Sequence, residues 1–424
     1  MNDPARKIQF YKGVAAIALM ATVGACETPK PPTAKLQSVP LSSAARAAPA
    51  PAEALASSPA TNATTNAPDS ASRTLIRAPW SELPGWRQDN HAEALPALVA
   101  SCLVLTKQAA WHEVCEAAPS VNGRDAARLF FESHFTPYRV TGVGSADGST
   151  EGLITGYYEP TLRGSRKPSA RNRYPVYGTP DDLLVLDLGE LAPELKSTAP
   201  RVRIEGKRVV PYYNRAQIDS DEAPLRGKEI AWAEDAVDLF FLQVQGSGRI
   251  ALDEGGVMRV GFAGHNGHPY RSIGRVLIER GELTVERASM QGIKAWAYAN
   301  PNKLSELLNQ NPRYVFFREL PGTAAAPPGA LGVPLTPERS IAVDPRYVPL
   351  GAPVHIATTW PNTDRPLQRL MLAQDTGGAI RGAVRADFFW GAGENAAREA
   401  GRMQQSLRLW VLLPNGYPAP DLKP

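Results

Sequence analysis

Three aspartates fall within 44 residues near the carboxyl end, each closing or interrupting a short apolar run. Asp344 ends Arg339-Ser-Ile-Ala-Val-Asp344, Asp375 sits in Ala373-Gln-Asp375-Thr-Gly-Gly-Ala-Ile380, and Asp387 lies within Arg385-Ala-Asp387-Phe-Phe-Trp-Gly391. A single aspartate after a strand would read as a turn cap. Three in so apolar a setting predict strand ends converging on one site. The three are not equivalent. Asp375 leads into Thr376-Gly377-Gly378, where a tight turn lets its carboxylate accept backbone amides. Asp344 precedes Pro345, which imposes an extended exit, and reads as structural. Asp387 stands beside Phe388, Phe389 and Trp390, where desolvation would disfavour the ionised form and raise its pKa. A carboxyl kept protonated near neutral pH is what a general acid needs.

Other chemistries are poorly supported. Asp375-Thr376-Gly377 is half of an aspartic protease site, but the chain has no second Asp-Thr-Gly or Asp-Ser-Gly to share the proton. His265 and His268 have the spacing of a weak metal pair. The six histidines are otherwise scattered, no third ligand lies near them in sequence, and a turn or surface contact fits better than a metal site. Gly246-Ser247-Gly248 precedes a strand-like Arg249–Leu252 rather than a helix, which does not suit phosphate binding. No concentrated run of Lys and Arg suggests nucleic acid.

The elements that must position the aspartates read mainly as β. The chain has 39 prolines and 35 glycines in 424 residues, 43% hydrophobic and 21% charged, which fits turns and strands better than long helices. Residues 92 to 135 carry helical spacing, with Leu95, Leu98, Val99, Cys102 and Leu103 on one stripe and Ala126, Leu129 and Phe130 on another. Beyond them, short apolar runs predict strands at Leu153–Tyr158, Leu239–Val244, Tyr314–Phe317 and Leu370–Ala373. Helices return at Ser272–Arg280, Met290–Ala299 and Lys303–Gln310, with Ser289 and Asn302 as candidate caps. Cys102 and Cys115 on one unbroken helix would stand about 20 Å apart, so a disulfide between them requires a bend near Thr106–Ala109. The sequence leaves that bond open.

The amino terminus reads as an address. Arg6, Lys7 and Lys12 precede an apolar stretch, Val14–Ala25, with the layout of a secretory signal. It ends in Val23-Gly24-Ala25-Cys26, which resembles the lipobox of bacterial lipoproteins, in which cleavage precedes a cysteine that is then lipidated. Glu27 occupies a position where aspartate would suggest inner-membrane retention, so the resemblance favours the outer membrane, facing the periplasm. The chain carries 46 Lys and Arg against 42 Asp and Glu; without residues 1–25 the balance is 43 minus 41, or +2. From Glu27 to Ser72 the composition is Ala, Pro, Ser and Thr, unable to bury a core. It is expected to be a flexible tether spanning about 40 Å.

Further along, Thr155-Gly-Tyr-Tyr-Glu-Pro160, Tyr174-Pro-Val-Tyr177, Gln243-Val-Gln-Gly-Ser-Gly248, Asn266-Gly-His-Pro-Tyr270, Ser272-Ile-Gly274 and Asn311-Pro-Arg-Tyr-Val-Phe-Phe317 occur in order with the three aspartates. Together they closely resemble the membrane-bound lytic murein transglycosylase A family, over about Trp80 to Pro414. The resemblance implies a mainly β fold with minor α content. It consists of a double-psi β-barrel from residues 80–160 and 322–415 and an inserted β-barrel-like domain, 161–321, separated from it by a groove. Residues 1–25 would be the signal, 26–79 the tether and 416–424 a tail. The family's catalytic aspartate falls on Asp387. Thr155, Tyr157, Gln245, Ser247 and Asp375 are the candidates to bind sugar hydroxyls, with Asp344 supporting, although Gln245–Gly248 also reads as a hairpin turn.

Glycosidases ordinarily use two carboxyls, whereas this family's reaction can use one. The implied activity is cleavage of the β-1,4 bond between N-acetylmuramic acid and N-acetylglucosamine in peptidoglycan, leaving a 1,6-anhydromuramyl end, with no metal or other cofactor. The implied partners are glycan strands, the outer membrane through lipidated Cys26, and cell-wall synthesis or remodelling proteins. A non-enzymatic lipoprotein that binds peptidoglycan would share the tether and the sugar contacts, and Asp387 is the residue that distinguishes the two.

Overall fold

The alternation that makes residues 339–392 read as strands recurs at both ends of the described chain. In a computed structural model, which describes residues 75–142, 149–189, 199–322 and 326–418, these ends pair with one another. Along the chain, β1 (Leu75–Arg77) precedes helices α1 (Leu95–Leu105), α2 (His112–Ala117) and α3 (Arg124–His134), then β2 (Phe135–Val140) and β3 (Gly152–Glu159). The middle carries β4 (Thr161–Ser165), β5 (Tyr174–Tyr177), β6 (Leu184–Val185), β7 (Arg201–Glu205), β8 (Arg208–Pro211), α4 (Arg215–Ile218) and β9 (Glu229–Ala233). It continues through α5 (Ala236–Gln245), β10 (Ser247–Leu252), β11 (Val257–His265), α6 (Ile273–Glu279), α7 (Met290–Ala299), α8 (Leu304–Asn309) and β12 (Val315–Glu319). The last part is β13 (Ser340–Val343), β14 (Pro353–Thr359), β15 (Pro366–Asp375), β16 (Arg385–Ala392), α9 (Glu394–Ala400) and β17 (Gln404–Pro414).

Strand β17 pairs with both β14 and β3, so β17, β14, β15, β13, β16 and β3 close into a ring, with β2 and β1 continuing from β17. Two pairings, β13 with β15 and β16 with β3, are parallel. A closed sheet has no bare edge within the ring. Its interior holds Ile154, Ile341, Val354, Ile356, Phe388 and Leu409, all fully buried. β14 is buried along nearly its whole length because the segment before α1 covers its outer side, Trp86 packing near His355 and the Pro84 carbonyl bonding it at 2.8 Å, which explains why this strand lacks a clean two-residue alternation.

The helical cover is tied down in two ways. Arg339 donates through Nη1 and Nη2 to the two carboxylate oxygens of Asp89, each at 2.9 Å, and the backbone N–H of Leu370 donates to the same carboxylate at 2.7 Å. Both side chains are buried, so the pair is held by bonds that replace its lost hydration. The second tie is a disulfide between Cys102 and Cys115, whose Cα atoms are 5.3 Å apart. α1 stops at Leu105 and the chain turns before α2, which supplies the bend that the spacing demands.

A second, six-stranded sheet, β12-β11-β10-β4-β9-β5, is built from strands between Thr161 and Glu319 and has its own core of Leu162, Val176, Ile250, Val260 and Phe317. A three-stranded meander, β6-β7-β8, lies beside it in sequence. Two local expectations fail here. Leu239–Val244 is not a strand but the body of α5, whose first turn is capped by Asp235 accepting from the N–H of Val237 and Asp238 at 2.8 Å. Gly246, at φ 81°, ends that helix, so Gln245–Gly248 is a helix-to-strand turn and not a hairpin. β1 also begins before Trp80, where order was expected to start, because Leu75–Arg77 pair with Tyr138–Val140. Ser289 caps α7, whereas the N-cap position of α8 is Lys303 and not Asn302. The leader, Cys26 and the segment up to residue 74 lie outside the described residues.

The disulfide closes a loop of 13 residues' separation. Replacing both cysteines with alanine should lower stability by about 3 kcal/mol. Urea denaturation of the oxidised, reduced and double-alanine proteins checks this, with reduced and alanine forms expected to coincide.

Candidate active site

Strand register brings two of the three aspartates, Asp375 and Asp387, together. Asp387 is paired with Ala342 on β13 and with Thr155 on β3, and Ala342 is paired on its other side with Asp375 on β15. Asp375, Ala342, Asp387 and Thr155 thus form one row across four adjacent strands, on a common face. Asp375 and Asp387 are two strand spacings apart, roughly 10 Å, with only a methyl group between them. That row forms one wall of a cavity of about 250 Å³, whose lining includes Thr155, Tyr157, Asp375 and Asp387 from the ring and Arg215, Gln245, Tyr270, Asn311 and Arg313 from the second sheet and its connections.

Asp387 is half-buried. Its Oδ1 accepts from the Thr155 hydroxyl at 2.6 Å, and among the described residues no group donates to Oδ2. Desolvation raises its pKa to about 6, opposed by the Thr155 hydrogen bond and the Arg385 charge and reinforced by Asp375. The desolvating surface differs from the one the sequence suggests. Phe388 and Trp390 point away into the barrel core, while Phe389 shares the Asp387 face with Tyr157, Ala342, Ile380 and Leu335.

Asp375 has a different environment. Its Oδ1 accepts the N–H groups of Ala330 and Thr376, both at 2.9 Å, and its Oδ2 accepts the Tyr157 hydroxyl at 3.0 Å. Desolvation still lifts its pKa, against those bonds. Both oxygens are occupied, so it anchors the turn and Tyr157, as the glycines after it suggest. Asp344 is outside the cavity. It is buried, and although burial pushes its pKa up, the bonds from Arg346, at 2.6 Å and 3.0 Å, and from Gly382 N–H at 2.9 Å outweigh this and lower it.

The remaining candidates separate in the same way. Thr155 and Tyr157 line the cavity, with Gly156 between them facing away, where a Cβ would stand 2.7 Å from the Trp390 indole nitrogen. Gln245 lines the cavity, but its Oε1 accepts the Tyr158 N–H at 3.0 Å, leaving its amide N–H groups for a ligand. Ser247, half-buried at the start of β10, is not among the lining residues. His268 bonds the Tyr212 carbonyl at 2.8 Å, and His265 accepts from Gly267 N–H at 2.9 Å. Arg385 is an addition. It donates to the Thr155 hydroxyl at 2.8 Å, so an Arg385–Thr155–Asp387 chain orients the carboxyl, and its spacing of two from Asp387 on one strand was the available signal.

Two protein families match the chain, one described as the MltA specific insert domain over residues 153–318 and one as the 3D domain over residues 339–413. Membrane-bound lytic murein transglycosylase A of Vibrio cholerae serotype O1 is 33% identical over 277 residues, spanning 64% of this chain and 67% of that protein. The crystal structure of MltA from Neisseria gonorrhoeae, monoclinic form, is 40% identical with a TM-score of 0.70, covering 84% of this chain and 98% of that one. The structure of Escherichia coli MltA with bound chitohexaose is 28% identical with a TM-score of 0.57, covering 82% and 93%.

The raised Asp387 pKa has a consequence for stability. A carboxyl at about 6 when folded and 3.8 when unfolded costs nothing below pH 3.8; the stability it retains in the protonated form is lost as pH rises through about 6. Asp387→Asn should therefore match the parent near pH 4 and exceed it above about pH 7 by on the order of 3 kcal/mol. Thermal melts at the two pH values read this out.

Proposed function

The chain belongs to the membrane-bound lytic murein transglycosylase A family, and from that premise we propose that the cavity cleaves peptidoglycan glycan strands with Asp387 as its single acid and base. The observation that carries the assignment is a half-buried carboxyl with a pKa of about 6, one oxygen held by Thr155 and the other without a donor among the described residues, in a cavity walled from both sheets. The closed six-stranded ring with two parallel pairs suits the family's double-psi β-barrel, and the cavity would be the centre of a groove between the ring and the inserted β domain.

Protonated Asp387 donates its proton to the oxygen bridging N-acetylmuramic acid and N-acetylglucosamine as the bond to the muramyl anomeric carbon breaks. The resulting carboxylate, stabilised by Thr155 and the Arg385 charge, takes the proton of the muramyl 6-hydroxyl. That oxygen closes on the anomeric carbon, giving a 1,6-anhydromuramyl end and restoring the acid. No water is consumed. Holding the hydroxyl against its own ring supplies the proximity that a second carboxyl provides in a hydrolase. Asp375, with both oxygens occupied, is a poor candidate for a base acting on water. Its contribution is to raise the Asp387 pKa and hold Tyr157.

Membrane association accords with the family's name. Attachment to the outer membrane through lipidated Cys26, with the domains facing the periplasm at the end of a tether, is the arrangement that places such a site within reach of the wall.

Asp387→Asn keeps the shape and removes the titrating proton, and should remain folded while turnover falls by a factor on the order of 10³. Sacculi digested by the parent protein should yield anhydromuramyl ends by mass spectrometry. Hydrated reducing ends would indicate a hydrolase, and binding without release would indicate a non-enzymatic peptidoglycan-binding lipoprotein. Because the acid form starts the reaction, kcat/KM should decline as pH rises above about 6. Thr155→Val removes a bond that favours the ionised form, so its pH profile should shift upward.

A further inference from the structure

Beside the catalytic cavity lies a group of cations that the proton chemistry does not use. Arg313 lines the cavity and is packed so closely on the Thr376–Gly378 turn that a Cβ at Gly378 would stand 3.1 Å from its Nη2. Among the described residues its guanidinium makes one protein hydrogen bond, Nη1 to the His268 carbonyl at 3.2 Å, out of five N–H groups it can offer. Arg201 enters the same region from β7, where the Gly267 turn, at φ 85°, admits it; a Cβ on Gly267 would stand 2.8 Å from the Arg201 Cβ. Arg381, exposed, completes the group from the loop before β16.

The charges facing this group are alike. Arg313 is held below its usual pKa first by desolvation and then by the positive charges of Arg381 and Arg201. His265 is pushed down to about 4 by desolvation and then by Arg313, Arg201 and Arg381, so near neutral pH it adds no charge and reports the positive field of the three arginines. Among the described residues none of the three arginines takes part in an ion pair. Three like charges close enough to act on one another, with Arg313 in the cavity wall and no ion-pair partner among the described residues, repel, and an anionic ligand relieves that repulsion.

We propose that Arg201, Arg313 and Arg381 form a carboxylate-binding subsite that takes the anionic stem peptide carried by the glycan strand. The inference rests on the reading of the cavity as the site of glycan cleavage. On the peptide-bearing sugars of that polymer the muramyl lactyl carboxyl is tied up in the amide that carries the branch, so the free carboxylates there lie on the peptide. Planar guanidinium forks match carboxylates in geometry, and a partly desolvated pair holds them more firmly than an exposed one. The subsite therefore fixes where along the strand a peptide-bearing sugar must lie when the adjacent bond meets Asp387.

The test uses the full chain and two substrates, native peptide-bearing glycan strands and the same strands with their peptide carboxylates converted to amides. The parent should show a kcat/KM for anhydro-end formation roughly tenfold higher on native strands, and Arg201→Gln/Arg381→Gln should bring the ratio of the two substrates towards one. Equal rates on both strands by the parent, or an unchanged ratio in the double variant, would overturn the subsite. If the parent formed no anhydro ends from native strands, the reading of the cavity itself would fail, and the subsite with it.

Discussion

The structure turns on the desolvation of one carboxyl that is nevertheless left with a free oxygen. Asp387 owes this to strand register: its neighbours across the sheet are Ala342 on one side and Thr155 on the other, a small apolar group and a single hydroxyl. A carboxylate with more donors would ionise readily, as Asp344 does, and one with none would lose its orientation. A slip of one residue in β16 would turn Asp387 into the barrel core and bring Phe388 to the cavity. Ring closure through β17 guards against such a slip, since β16 is held between β13 and β3 and β3 is in turn paired with β17.

Three aspartates on neighbouring strand ends have become three different devices because their hydrogen-bond partners differ. Asp344 is neutralised by Arg346 and the Gly382 amide and fixes a loop. Asp375 is filled by two backbone amides and a phenol, so its charge acts on Asp387 at a distance while its oxygens stay committed. The inserted sheet completes the surroundings. The buried Arg215, bonded to the carbonyls of Asn311 and Arg313 and to Gln243, holds the segment that brings Asn311 and Arg313 to the cavity, and Gln245 bonds β3 directly.

Much of this was legible in the residues. The mainly β character with brief helices could be read from short apolar runs and turn residues, and the raised pKa of Asp387 from its apolar neighbourhood. The contributing aromatics were misjudged, because alternation sends Phe388 and Trp390 to the far face. Leu239–Val244 read as a strand because Leu-Phe-Phe-Leu-Gln-Val is apolar at every position but Gln243, as a helix buried on several sides also can be. Asp235 and Gly246, a cap at each end of ten residues, were the better signal. Ring closure was not legible, since β17 must pair with strands more than 200 residues earlier and about 50 residues earlier, and no local pattern records such partners. The Asp89–Arg339 pair was hidden for the same reason. The Cys102–Cys115 bond depended on a bend that the sequence permitted without requiring.

The proposed acid chemistry depends on the protonation state of one side chain, which carbon NMR can observe directly. In the full chain labelled with 13C at aspartate carboxyls, the resonance missing from Asp387→Asn should titrate with a midpoint near 6. A midpoint close to the ordinary 3.8 would mean the carboxyl is ionised at neutral pH, and its role as the acid that opens the glycosidic bond would have to be given up.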